Sequence, residues 1–266
     1  MSSNGLPPFF YEIFHPGLPR LGVGDDACTL RALDILTDAR RVQGLPDFMG
    51  PVLDIGCGNG PQTLVLAENT GERLEGPIIA VDFYQPFLDE LSRRAEARGL
   101  LQRIVTRRAD MAALMAEPGD ERNAYDLVWS EGALFVMGFL DGLRGCRNLL
   151  APAGMLAASE LVWLRPDVPD ECREFFAATY PSMLDVESIL NAIGDMGYTV
   201  PGHFIEPESA WENLYGPLGE RVEELALEHA DNADNMALIE SVRQEIDIRR
   251  RYAGWFGYLF LVLQRD

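Results

Sequence analysis

From about residue 29 onward, short apolar runs alternate with stretches of helical periodicity. The runs that fit strands are residues 51–55, 78–81, 103–107, 127–129, 155–161, 200–205 and 257–264. Between the second and third of these, Phe87, Leu91 and Ala95 recur at helical spacing, and Gly99 supplies a stop. Strands that alternate with helices of this length are typical of βαβ units. We therefore predict a doubly wound α/β fold with a seven-stranded, mostly parallel sheet.

Two regions fall outside this alternation. Residues 1–26 are rich in proline, glycine and aromatic side chains, and residues 206–252 have the pattern of one or two amphipathic helices before the last strand. We predict an N-terminal lid segment over residues 1–28 and one main domain over residues 29–266, with residues 206–252 as a helical insertion. Both additions are expected to cover the ligand edge of the sheet.

Composition narrows the range of partners. The hydrophobic content of 47% is enough for a large core, and the formal net charge is −20. Such acidity opposes binding to nucleic acid, whereas it attracts cations. No apolar run approaches the roughly 20 residues of a membrane span. The four cysteines form no C-x-x-C pair and the N-terminus does not resemble a signal peptide, so we predict a cytoplasmic protein without a membrane partner.

The strongest motif is VLDIGCGNGPQT, in which a predicted strand runs into Gly56, Gly58 and Gly60 before a helix that begins near Pro61. Glycines permit a tight turn there and let a ligand lie against the backbone. The dinucleotide-binding pattern G-x-G-x-x-G is one interpretation. However, the third glycine comes one position too early, and Pro61 occupies the position of the last glycine.

With Asp54 just before it, this turn resembles motif I of the class I S-adenosylmethionine-dependent methyltransferases. The resemblance implies a Rossmann-like sheet with an antiparallel last strand, and S-adenosyl-L-methionine as the cofactor. It also implies that Gly56, Gly58 and Gly60 pass beneath the methionine portion of the cofactor, while Asp54 steadies its amino group directly or through water.

Further matches to the same family follow the next strands and cover residues 51–163. In IIAVDFYQP, Asp82 is placed to accept hydrogen bonds from the ribose hydroxyls, and Phe83 to face the adenine. In RRADM, Asp110 and Met111 resemble the pair that contacts the adenine ring. Taken singly, most of these positions are better explained by structure, the acids as helix caps and Phe83 and Met111 as packing residues. Three acids after three successive strands, in register with the glycine turn, instead favour the methyltransferase interpretation.

The ends of the fourth and fifth predicted strands face the transferred methyl group in a fold of this type. Ser130, which we assign to the cofactor, lies there together with Glu131, Glu160 and Trp163. The family's N/D-P-P-Y/F signature for nucleobase methylation is absent, and so is the Asp-Asn pair of its metal-dependent catechol type. We therefore predict no nucleic-acid acceptor and no metal.

Catalytic roles are predicted for Glu131, Glu160 and His15, either as a base or as counter-charges. Alternatives remain open, since Glu131 could cap a helix and Glu160 could pair with an arginine. Aromatic residues indicate a closed pocket for a small-molecule acceptor, which the carboxylates would favour as amine-bearing or cationic. The predicted acceptor contacts are Tyr11, Phe14, Trp163, Trp211 and Tyr215. We expect a monomer or homodimer; a non-catalytic cofactor-binding regulator of the same fold is the alternative.

Overall fold

The computed structural model describes residues 6–46, 49–69 and 71–266. The strands are β1 Val52–Ile55, β2 Ile78–Asp82, β3 Ile104–Arg108, β4 Tyr125–Glu131, β5 Leu150–Trp163, β6 Leu184–Asp185, β7 Tyr198–Ile205 and β8 Phe256–Arg265. The helices are α1 Phe10–Ile13, α2 Asp26–Val42, α3 Pro61–Glu68, α4 Gln85–Ala97, α5 Met111–Ala116, α6 Phe139–Leu149, α7 Asp170–Thr179, α8 Val186–Gly194, α9 Glu208–Glu228 and α10 Ala233–Tyr252. The predicted strands all form, at bounds close to those expected from the sequence.

The sheet has the order β3-β2-β1-β4-β5-β8-β7, and the two-residue β6 pairs with β5 off this path. Strands β1 to β5 are parallel, whereas β8 is antiparallel to both β5 and β7. The predicted fold class is thus confirmed, with β6 as an addition. Because strand order reverses between β1 and β4, the crevice at their carboxyl ends is the expected place for a ligand.

Side chains alternate across the central strands and supply two cores, one on each face of the sheet. Leu127 and Trp129 of β4 face the core that α2, α3 and α4 cover, while Val128 between them faces the core under α5, α6 and α8. A period of two is the geometry of a strand, and burial on both faces explains why β4 is apolar almost throughout. The sheet therefore rigidly positions the turns at its carboxyl edge.

A third apolar cluster joins the N-terminal segment, defined here as residues 6–25, to α7, α9 and α10. Phe9 and Ile13 of this segment are buried against the same cluster as Trp211 and Leu218 of α9. Phe256, at the start of β8 and opposite the end of β5, belongs to it as well. The additions predicted from the sequence thus pack on each other at the carboxyl edge of the sheet, while residues 1–5 of the predicted lid lie outside the described residues.

Candidate functional site

A cavity of about 380 Å³ lies at the carboxyl edge of the sheet. Its floor consists of the turns after β1 and β4 and the end of β2, and its roof comes from the N-terminal segment, α9 and α10. A larger but more open depression of about 500 Å³ lies on the outer side of Arg20 and α4, and it contains none of the strand-end carboxylates. The cavity of about 380 Å³, which contains strand-end carboxylates, is therefore the candidate site.

The three glycines of the turn serve different purposes. Each has a positive φ, between 55° and 80°, which side chains other than glycine rarely adopt. A Cβ at Gly56 would lie 2.4 Å from the Ala133 Cβ, and one at Gly60 would lie 2.2 Å from a Leu91 methyl group, so both positions permit close packing. A Cβ at Gly58 would meet only Leu21, at 3.3 Å. Gly58 therefore presents its backbone to the cavity, whereas Gly60 does not line it.

Asp82 ends β2 and lines the cavity with 8% of its surface exposed. Its Oδ2 accepts a hydrogen bond from the Gly58 N–H at 3.0 Å, and its Oδ1 accepts one from the Tyr84 N–H at 2.9 Å. Burial raises the pKa of Asp82, while these backbone bonds act in the opposite direction. Since each carboxylate oxygen has a second lone pair, Asp82 can still accept two hydrogen bonds from a ligand. Phe83 and Met111 line the cavity nearby.

Three other predicted cofactor residues do not line the cavity. Asp54 is fully buried and accepts a hydrogen bond from the Thr63 hydroxyl at 2.5 Å, and burial raises the pKa of Asp54 to about 7. Asp110 caps α5 by accepting from the N–H groups of residues 112 and 113. The Ser130 hydroxyl donates to the Ile55 carbonyl at 2.9 Å. None of the three lines the cavity, so each supports the site through the backbone elements that it fixes.

Glu131 lines the cavity, but its carboxylate is fully engaged. Its Oε2 pairs with Arg20 at 2.8 Å, and its Oε1 accepts from the Thr29 hydroxyl at 2.7 Å and from the Trp129 indole at 3.0 Å. Arg20 and Glu131 are both nearly inaccessible, at 6% and 4% side-chain exposure. The pair therefore joins the N-terminal segment to the end of β4, an arrangement that the predicted catalytic role did not anticipate.

The predicted catalytic residues Glu160 and His15 are not brought to the cavity. Glu160 is 3% exposed, bonds to the Leu161 N–H at 2.8 Å through Oε1 and has no partner for Oε2, and burial raises its pKa to about 7. His15 is exposed, accepts from the Gly17 N–H at 3.0 Å and faces a separate depression beside Pro217. A joint catalytic role of these residues with Glu131 stays a prediction, and His15 lies at the outer surface.

The predicted acceptor contacts divide in the same way. Phe14, Trp211 and Tyr215 line the cavity. Tyr11 instead stacks on Tyr84 with ring centroids 3.9 Å apart, and Trp163 packs edge-on against Phe176. Neither Tyr11 nor Trp163 reaches the cavity wall, so these two aromatic residues hold the roof in place.

Polar contacts tie the N-terminal segment to the glycine turn. The buried Asn59 amide donates to the carbonyl oxygens of Pro16 and Leu18, at 2.9 and 2.6 Å. Arg94 of α4 donates to the carbonyls of the same two residues and to that of Pro19. These bonds hold the backbone of residues 16–19 over the turn that begins at Gly56, so the site is closed on this side.

The cavity residues that sequence reasoning missed include Arg20, Glu245 and Tyr258. Arg20 lies in a segment without periodicity, Glu245 is one acidic residue among many on an amphipathic helix, and Tyr258 falls within an ordinary strand pattern. No local signal distinguishes them, because only the packing of α10 and β8 places the last two beside the cavity. Within the described ranges, no three His, Cys, Asp or Glu side chains group as a metal site requires, and no helix is long and apolar enough to cross a membrane.

Comparison with protein families matches residues 52–154 to the family described as a methyltransferase domain. The matched range runs from β1 to the first half of β5 and contains the glycine turn, Asp82 and Glu131. No curated protein matches the chain.

Solved structures share the fold along nearly the whole chain. Two S-adenosylmethionine-dependent methyltransferases, from Geobacter sulfurreducens and Thiobacillus denitrificans, were each crystallised with S-adenosyl-L-homocysteine. Each of them is 18% identical to this chain in sequence. The alignments include 98% of this chain and 99% of each neighbour, and the TM-scores are 0.72 and 0.73. Phosphoethanolamine N-methyltransferase 2 from Haemonchus contortus, in complex with S-adenosyl-L-methionine, is 16% identical, with 97% of this chain and 56% of that chain aligned and a TM-score of 0.62. At these identities the likeness establishes the shared fold.

Proposed function

We propose that this chain, which carries a methyltransferase domain over residues 52–154, transfers a methyl group from S-adenosyl-L-methionine to a small-molecule acceptor. The observation that carries the proposal lies within that domain, at one end of the cavity. There the open backbone face of Gly58 adjoins the Asp82 carboxylate, whose oxygens retain free lone pairs. The homologous folds crystallised with this cofactor or its product support the proposal.

The residues at this end of the cavity fit the cofactor. Asp82 has one free acceptor position on each oxygen, which suits the two adjacent hydroxyls of a ribose. Phe83 and Met111 offer apolar surface for an adenine, and Gly58 leaves room for the methionine portion. When bound, the sulfonium supplies an electrophilic methyl group that a lone pair of the acceptor attacks, while the carbon–sulfur electron pair stays on sulfur.

What the chain itself contributes is positioning and exclusion of water. Holding a nucleophile near attack distance in a dry pocket supplies much of the acceleration that such a displacement needs. The N-terminal segment, tied down by Asn59 and Arg94, closes one side, and the aromatic rings of α9 close the other. A cavity of about 380 Å³ that two elements partly close suits a small acceptor better than a polymer. The formal charge of −20 favours an acceptor that is amine-bearing or cationic.

The direct test is release of S-adenosyl-L-homocysteine from S-adenosyl-L-methionine by the purified protein. The purified protein is assayed with a panel of small amines, acids, phenols and thiols as acceptors. Release that depends on an acceptor is expected. Tight cofactor binding without release, either from the panel or from cell extract, would instead indicate a non-catalytic regulator of the same fold.

Asp82→Ala is expected to weaken S-adenosyl-L-methionine binding by about tenfold to a hundredfold, because it removes charge-assisted hydrogen bonds worth roughly 1.5–3 kcal/mol. Isothermal titration calorimetry measures the affinity directly. The matched control is Asp89→Ala, an exposed acid on α4 that bonds only to Gln85 within its own helix. Unchanged affinity in a folded Asp82→Ala protein would contradict the assignment of this end of the cavity to the cofactor.

Asn59→Ala is expected to loosen the roof without disturbing the sheet. The variant loses both bonds to the carbonyls of Pro16 and Leu18, and each neutral hydrogen bond is worth about 0.5–1.5 kcal/mol. Dissociation of S-adenosyl-L-homocysteine, followed by stopped-flow fluorescence, should accelerate by about tenfold. Asn69→Ala removes a side-chain bond to the Val65 carbonyl within α3 and serves as the control. Equal dissociation rates in the two variants would show that the segment does not retain the ligand.

A further inference from the structure

The end of the cavity away from Asp82 is closed by two helices and β8. Glu245 of α10, Tyr215 of α9 and Tyr258 of β8 meet there, and all three line the cavity. The Tyr215 hydroxyl donates a hydrogen bond of 2.7 Å to Glu245 Oε1. The Glu245 side chain is exposed and lines the cavity, so its carboxylate opens onto that space.

Glu245 differs from the other two carboxylates that line the cavity. Glu131 is neutralised by Arg20, and Asp82 is held by two backbone N–H groups and reserved for the cofactor. Across the part of the chain that the structure describes, Glu245 forms no ion pair, and its Oε2 makes no hydrogen bond. A carboxylate oxygen that faces a cavity and has no positive partner is suited to receive a positively charged or N–H-bearing group from a ligand.

The walls around Glu245 are aromatic. Trp211, Tyr215, Phe256 and Tyr258 line this end, and the faces of such rings attract cations. Arg249 already lies 4.0 Å from the centre of the Trp211 ring, but its charge is balanced by Glu208 and it does not line the cavity. Tyr215 and Tyr258, which are partly exposed, therefore offer the ring surface that a ligand cation can contact.

Tyr258 connects this end to the β4 turn. Its hydroxyl lies 3.8 Å from where a Cβ at Gly132 would be placed, and Gly132 follows β4 beside Glu131. Burial raises the pKa of Tyr258, and the nearby acids Glu160, Glu245 and Glu206 raise it further. Acidic side chains thus surround the ring, which favours a cationic ligand over an anionic one.

We propose that the methyl acceptor is an amine whose nitrogen docks on Glu245 Oε2, with Tyr215 fixing the carboxylate through Oε1 and the ring of Tyr258 beside the nitrogen. This assignment rests on the proposed function and adds a specificity-determining residue to it. The acceptor binds with a free lone pair after giving up any extra proton to solvent. As the nitrogen gains the methyl group it becomes positively charged, and the carboxylate beside it stabilises that charge.

The same wall argues against phosphorylated acceptors. Arg20 is the only cationic side chain among the described residues that line the cavity, and it is already paired with Glu131. A phosphate placed there would find the carboxylate of Glu245 and no unpaired cation, which is unfavourable in a space of low polarity. An amine without a phosphate group is therefore the class of acceptor that fits.

The test compares two probes of equal shape, benzylamine and benzyl alcohol, on the protein saturated with S-adenosyl-L-homocysteine. Fluorescence of Trp211 and its neighbours, or calorimetry, gives the dissociation constants. The wild-type protein is expected to prefer the amine by about tenfold to a hundredfold, because the charge-assisted contact to Glu245 is lost with the alcohol. Glu245→Gln should abolish this preference, whereas affinity for S-adenosyl-L-homocysteine should stay within about twofold, a shift of less than 0.5 kcal/mol.

Two further variants serve as controls in this experiment. Glu240→Gln alters an exposed glutamate of the same helix and should keep the full preference for the amine. Glu245→Asp keeps the charge and should restore most of the preference, which a purely structural role would not predict. The proposal would be overturned if the wild-type protein bound the two probes equally or bound neither of them. It would also be overturned if Glu245→Gln kept the preference for the amine. Absence of S-adenosyl-L-homocysteine binding in the wild-type protein would instead refute the proposed function.

Discussion

Gly58→Val is expected to abolish cofactor binding, with a loss of affinity greater than about a hundredfold, equivalent to about 2.7 kcal/mol. The Gly58 Cβ position faces the cavity under Leu21, where the proposed ligand lies against the backbone. A branched side chain would fill that space and would also displace the N–H that Asp82 accepts at 3.0 Å. Calorimetry with S-adenosyl-L-methionine is the measurement.

Backbone strain has to be separated from the loss of space, since Gly58 has a φ of +55° and valine resists that conformation. Gly99 offers the matched control, because its φ is +69° and a Cβ there would meet nothing within 4 Å. Gly99→Val should lower the melting temperature by a similar amount while cofactor affinity remains unchanged. If both variants bind normally, the turn does not contact the cofactor.

Removing one partner of the Arg20–Glu131 pair is expected to destabilise the protein strongly. Arg20→Met leaves the Glu131 carboxylate buried without its cation, and breaking a buried pair in this way costs about 3–5 kcal/mol. Since Arg20 also fixes the N-terminal segment to the end of β4, turnover should fall with stability. Urea denaturation measures the first effect, and limited proteolysis of residues 15–25 reports the loosened roof.

A double variant and a surface pair complete this test. Arg20→Met combined with Glu131→Gln should recover much of the stability, because no isolated charge remains and the glutamine oxygen can still accept from Thr29 or Trp129. Arg243→Met breaks a largely exposed pair with Glu223 and should cost less than about 1 kcal/mol. A single Arg20→Met variant as stable as the wild type would mean that the pair contributes nothing to closing the site.

This pair changes the interpretation of Glu131. The sequence predicts a catalytic carboxylate there because Glu131 ends β4 at the ligand edge, and its position in the structure agrees with that. Its three hydrogen-bond donors, however, occupy both oxygens. A carboxylate held in this way is better suited to anchoring the roof than to moving a proton. Arg20→Met, alone and combined with Glu131→Gln, tests this role.

Much of the fold and one end of the site follow from local pattern. Apolar runs buried on both faces, such as β1 and β4, specify parallel strands wherever they fall in the chain, because burial on both faces leaves no polar alternation. The glycine turn is equally local: a strand, three glycines of positive φ and a helix start lie within a dozen residues. Asp82 follows from the same logic, since the carboxyl ends of parallel strands meet at one edge.

The other end of the site depends on contacts between residues far apart in the chain. Glu245, Tyr215 and Tyr258 come from two helices and a strand whose relative orientation is set by the apolar cluster beneath them, and no periodicity encodes that orientation. In the same way, Arg20 reaches Glu131 across 111 positions of sequence. The sequence by itself thus determined the sheet, the turn and the Asp82 end of the cavity, because these depend on short-range pattern. Tertiary packing alone decided which carboxylates are neutralised and which one opens toward an acceptor. Both outcomes depend on the packed positions of helices that carry no chemical motif.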